Sequence, residues 1–128
     1  MTEHYYSKLN PNTLLHIIHR ANENIEGKRC RITPSDQFLM VSKGKYSKGH
    51  DFAGPHTHLP QTRTINKTQE TWIVINGSVG VNLFDLDDTL LERKVIGPGD
   101  CYVYLGEGGH GFEILEDGTW FYEVKNGP

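Results

Sequence analysis

The chain has 128 residues and a mass of 14.5 kDa, room for one domain whose single core removes roughly two-thirds of the unfolded surface from water. A hydrophobic fraction of 36 %, a mean hydropathy of −0.53, fourteen glycines, six prolines and thirteen aromatic residues argue against a helix bundle and favour short strands with many turns. A net charge of −3 and a pI near 6.1 leave no global basic field for nucleic acid or an anionic membrane, so neither is an expected partner.

The first residues, Met-Thr-Glu-His-Tyr-Tyr, contain no charged leader followed by an apolar run, and no apolar stretch approaches the ~18 residues of a membrane span. A cytoplasmic protein is the expectation. Cys30 and Cys101 form no CxxC pair and make no disulfide framework, and two such distant cysteines read as readily as buried thiols as a bridge.

In chain order, residues 1–27 read as an N-terminal extension holding one helix over residues 10–25. Asn10 caps it, Pro11 fits its first turn, Leu14, Ile18, Ala21 and Ile25 form a stripe, and Gly27 closes it. The run Leu14–Ile18 also fits a short buried strand. Residues 28–128 read as the β domain. Its period changes to two, with expected strands over 28–33, 37–43, 50–58, 70–75, 78–85, 90–96, 101–105, 111–115 and 119–124. Asn76-Gly77 signals a two-residue hairpin, and Asp87-Asp88, Gly97-Pro98-Gly99-Asp100 and Glu116-Asp117-Gly118 punctuate the other strands.

Seven histidines are many for such a chain. His56-Thr57-His58 places two imidazoles on one strand face. Glu70 shares parity with Trp72 and Val74, and His110 with Phe112 and Ile114, so both polar groups point with apolar neighbours. Three imidazoles and a carboxylate in that phase suit a divalent first-row metal. His16 and His19 fall on the expected helix in packing or surface roles, His50 at a strand end and His4 in a tail. Arg63, Asn66 and Lys67 lie on the following loop, where they suit a carboxylate, phosphate or sugar hydroxyl. Asp85, Asp87 and Asp88 read as a hairpin tip rather than a calcium loop.

On these residues the chain resembles the cupin superfamily. His56-Thr57-His58 and Glu70, followed by six residues and then Gly77, match one cupin motif, and Gly99 to His110 follows the spacing of the other. Eleven residues separate His58 from Glu70, more than the motif has, and Ile114 stands in place of its asparagine. The resemblance implies an all-β fold, a double-stranded β-helix or jelly-roll barrel, with His56, His58, Glu70 and His110 holding Fe, Mn, Zn or Ni. Trp72 and Phe112 would then wall the site, with Arg63 at its mouth. It further implies a homodimer acting on a small polar substrate by isomerisation or oxygenation. The alternatives are a non-catalytic sugar-binding cupin and a metal-independent sugar-nucleotide isomerase or epimerase.

Overall fold

A computed structural model describes residues 2–25, 27–51 and 54–127. Ten strands follow one another: β1 (Glu3–Tyr6), β2 (Leu14–His19), β3 (Arg29–Arg31), β4 (Ser42–Gly44), β5 (Glu70–Asn76), β6 (Val79–Phe84), β7 (Leu90–Ile96), β8 (Cys101–Tyr104), β9 (His110–Ile114) and β10 (Trp120–Lys125). They form a five-stranded sheet in the order β1-β2-β8-β5-β10, a three-stranded sheet β7-β6-β9, and the pair β3-β4.

The fold is therefore all-β, as composition requires, but it is three open sheets and not a closed barrel. β1 and β10 end one sheet and β7 and β9 the other, with no ladder joining them among the described residues. The cupin jelly roll is corrected on this point. In that resemblance residues 50–58 would be a barrel strand. Residues 52 and 53 lie outside the described ones, and the others from 50 to 58 form no strand. Gly54 and Pro55 interrupt this stretch and Pro60 follows it, and proline cannot donate to a ladder.

The expected N-terminal helix is also corrected, since no helix occurs among the described residues. The run Leu14–His19 is strand β2, paired antiparallel with β1 and β8. Its two faces are both covered. Ile18 packs with Trp72, Val74, Val79, Val81, Leu83, Ile96 and Tyr102 between the two larger sheets. On the opposite face Ile17 packs with Ile32, Cys101, Val103 and Leu105 beneath the β3–β4 layer. A strand buried on both sides is apolar without alternation, and two adjacent isoleucines favour extended backbone. Each fully buried aliphatic side chain contributes about 1.5–3 kcal/mol.

Asn76-Gly77 does not close a hairpin. β5 and β6 belong to different sheets, so the turn carries the chain from one sheet across to the other. Only Gly77 has positive φ, at 84°, whereas a type I′ hairpin needs it at both central positions. Gly77 also passes directly against Thr119, where a Cβ would collide with its side chain and Cα. The true hairpin is β6–β7. Its tip includes Asp88 at φ 66°, in agreement with the hairpin reading of the three aspartates. Cys30 and Cys101 are both free thiols.

Candidate functional site

The inner face of the five-stranded sheet presents two cross-strand rows. One runs His16, Tyr104, Glu70, Lys125 across β2, β8, β5 and β10; the next runs Ile18, Tyr102, Trp72, Glu123. Alternation produces this arrangement, because i and i+2 on each strand share a face. Glu70 and Trp72 are inward together, as their parity predicts, and so are Tyr102 and Tyr104.

His110 comes from the facing sheet, at the start of β9. Its imidazole lies nearly parallel to Trp72 (ring centroids 5.0 Å apart, 17° between planes) and to Tyr104 (4.4 Å, 17°). The turn before it is fixed by Tyr104, whose hydroxyl donates to the Gly108 carbonyl at 2.9 Å. Phe112, two residues on, meets Trp72 edge-on at 5.2 Å and Phe121 of β10 at 5.6 Å. Aromatic contacts thus join the edges of the two sheets where no strand ladder does among the described residues, each pair contributing about 0.5–1.5 kcal/mol beyond its buried area.

Glu70 is held at both oxygens. The Trp72 indole donates to Oε1 at 2.6 Å, and Oε2 lies 3.4 Å from His110 Nε2. The side chains of His110 and Glu70 keep 20 % and 12 % of their surface open, so the pair is sheltered yet reachable. Burial pushes the His110 imidazole down to about 4, with His16 adding to the effect. Burial pushes the Glu70 carboxyl the other way, above its ordinary value, against the Trp72 hydrogen bond that favours the anion and with the negative Glu123 nearby. The two shifts run toward each other, burial favouring the uncharged form of both the carboxyl and the imidazole. His110 Nδ1 is buried without a hydrogen-bond partner.

Behind the pair, His16 is fully buried. Its Nε2 bonds the Phe84 carbonyl at 2.9 Å and its Nδ1 the Tyr102 hydroxyl at 2.9 Å. A carbonyl only accepts, so Nε2 carries the proton and Nδ1 accepts from Tyr102. Burial holds His16 below the ordinary histidine range and Tyr102 well above the ordinary tyrosine range. Both stay neutral and rigid.

The expected metal centre is not assembled. His56 and His58 are exposed, with rings 5.2 Å apart in a T arrangement. Glu70 and His110 form a separate pair, and among the described residues no group of three or more His, Cys, Asp or Glu is placed to hold a metal ion. The four residues are thus not brought together as the four-ligand site requires. The metal-dependent isomerase or oxygenase rests on that barrel and ligand set, and both cupin alternatives rest on the barrel, so all three are corrected with it.

Of the remaining expected residues, Trp72 is buried in the site and Phe112, 51 % exposed, forms its outer wall. Arg63 is elsewhere, exposed and donating to Gln61 Oε1 from Nε and Nη2. Lys67 pairs with Glu107 at 3.1 Å, and Asn66 is exposed. Sequence reasoning missed Tyr102, Tyr104, Phe121, Glu123 and Lys125. The Tyr-x-Tyr alternation in 101–105 carried the signal for two of them, being the same i, i+2 pattern that singled out His56 and His58. No helix among the described residues is long and apolar enough to cross a membrane. Compared with models of known protein families, with curated proteins and with solved structures, the chain matches none.

Proposed function

We propose that the protein binds a small polar ligand with a flat or apolar face at the inner edge between β9 and β10, and that Glu70 and His110 move a proton on it. The observation carrying this reading is the Glu70–His110 pair, set 3.4 Å apart against Trp72 and Tyr104. A carboxyl raised by burial beside an imidazole lowered by burial forms an acid and an acceptor at one place, the arrangement that proton-transfer sites need. Phe112 and Phe121 supply apolar surface for a ring. Lys125, paired with Glu123 at 2.9 Å, supplies a positive charge at the same edge, which favours a ligand bearing a carbonyl, carboxylate or several hydroxyls.

The test is chemical-shift mapping on the full chain with small ring compounds bearing hydroxyl or carbonyl groups: pyranoses, hydroxybenzoates and lactones. Ligands that bind are expected to shift His110 ring and Trp72 indole signals together, with affinity at least tenfold weaker in Glu70→Gln. Binding that leaves both signals unmoved, or no binding across the panel, contradicts the proposal.

A further inference from the structure

The small net charge conceals a polar distribution. Residues 26–51 hold six lysines and arginines against three acids, whereas the rest of the chain holds seven against thirteen. The β3–β4 layer carries this basic segment onto the outer face of the five-stranded sheet, opposite the face that bears Glu70. There a concavity of about 620 Å³ opens, lined by Lys28, Lys45, Lys48, Tyr46 and His50.

Local structure organises these side chains. The Lys45 amide donates to the Lys28 carbonyl at 2.8 Å, fixing two of the lysines side by side at the end of the β3–β4 ladder. Tyr46 folds back over Gly44, where a Cβ would approach its ring to 2.6 Å, so the ring position depends on that glycine. Tyr46 then stacks on His50, with centroids 4.8 Å apart and 17° between planes, while Lys28 Nζ donates to His50 Nδ1 at 3.3 Å. The result is a flat two-ring platform beside the Lys28 ammonium, in a concavity that Lys45 and Lys48 also line, and Tyr46 keeps 42 % of its surface exposed.

We propose that this concavity binds a free nucleoside phosphate, with phosphate oxygens on Lys28, Lys45 and Lys48 and the base against the Tyr46–His50 platform. Lysine ammonium groups recognise phosphate as point charges, and an aromatic face accepts any base. A free nucleotide suits the site better than a nucleic acid strand. The basic segment is confined to one layer, and a polyanion running beyond it meets the acidic remainder of the chain.

The full chain is titrated with ADP, adenosine and inorganic pyrophosphate at low and moderate salt, with amide shifts recorded. ADP is expected to shift Tyr46 and His50 signals and to bind at least tenfold more tightly than adenosine or pyrophosphate. Lys28→Gln combined with Lys45→Gln should weaken ADP at least tenfold. Tyr46→Leu should weaken ADP similarly but leave pyrophosphate within twofold, a split that general loss of structure would not give. The proposal is overturned by unchanged ADP affinity in the double lysine variant, by equal affinity for pyrophosphate and ADP, by no ADP binding at millimolar concentration, or by a short single-stranded oligonucleotide binding more tightly than ADP through the same lysines.

Discussion

His110 lies flat against Tyr104, with ring centroids 4.4 Å apart and 17° between planes, although the two residues belong to different sheets. Tyr104 also holds the turn that delivers His110, through the bond from its hydroxyl to Gly108 O. One side chain therefore sets both the approach and the resting plane of the imidazole. Removing only the hydroxyl separates these contributions. Tyr104→Phe is expected to keep the stacking and to cost about 0.5–1.5 kcal/mol of stability in denaturant unfolding, whereas Tyr104→Ala costs about 3 kcal/mol or more by opening a cavity as well.

Acid stability follows from the buried histidines. His16, His19 and His110 all have folded-state pKa values below their unfolded ones, and His110 is brought down to about 4. As pH falls below about 6.5 the unfolded chain takes up protons that the folded chain refuses, so stability is lost with falling pH until the folded values are reached. Above that range these groups add no pH dependence. Unfolding curves between pH 7 and 4 should show a steady decline to which His110 contributes about 3 kcal/mol. His110→Phe, which keeps an aromatic ring against Tyr104, should make it shallower by about that amount while the His16 and His19 contributions remain. A flat wild-type profile would contradict the burial assigned to these rings.

Gly77 and Gly27 both have positive φ, at 84° and 70°, but a Cβ at 77 strikes Thr119 while one at 27 meets nothing within 4 Å. Gly27→Ala should cost about 1 kcal/mol from backbone strain alone. Gly77→Ala should cost about 2–3 kcal/mol, because the sheet-to-sheet turn must also shift. Equal losses in thermal unfolding would show that the Thr119 approach is unimportant.

His56 and His58 are exposed and paired only with each other among the contacts described. The double substitution to alanine should change stability by no more than about 0.5 kcal/mol, as surface changes remote from packed features do. A larger loss in denaturant unfolding would mean that the pair is tied into the fold.

How much of this was legible in the sequence depends on how many faces of each strand are covered. From residue 70 to 125 the alternation is plain, and the expected strands match β5 to β10 to within one or two residues at each end. The same alternation put Glu70 on one face with Trp72 and His110 on one face with Phe112, which is how the ladders have them. It failed at β2, where burial on both sides removes the alternation and an apolar run looks helical. It failed again at Asn76-Gly77, because a turn dipeptide does not specify whether the chain stays in one sheet or crosses to another. The grouping of His56 and His58 with Glu70 rested on spacing along the chain, and spacing does not determine which strands pair. The phase of Tyr102 and Tyr104 was visible, but their place beside His110 follows from the sheet order β8-β5 and the facing β9, neither of which is local information.

The buried Glu70–His110 pair is tested most directly by the ¹⁵N shifts of the His110 ring as pH is lowered, in the wild type and in Glu70→Gln. The pair as described predicts an imidazole that stays neutral until about pH 4, with an added inflection above the ordinary carboxyl range that disappears in Glu70→Gln. A His110 that titrates near 6.5, its ordinary value, with no inflection lost on removing the carboxyl, would contradict it.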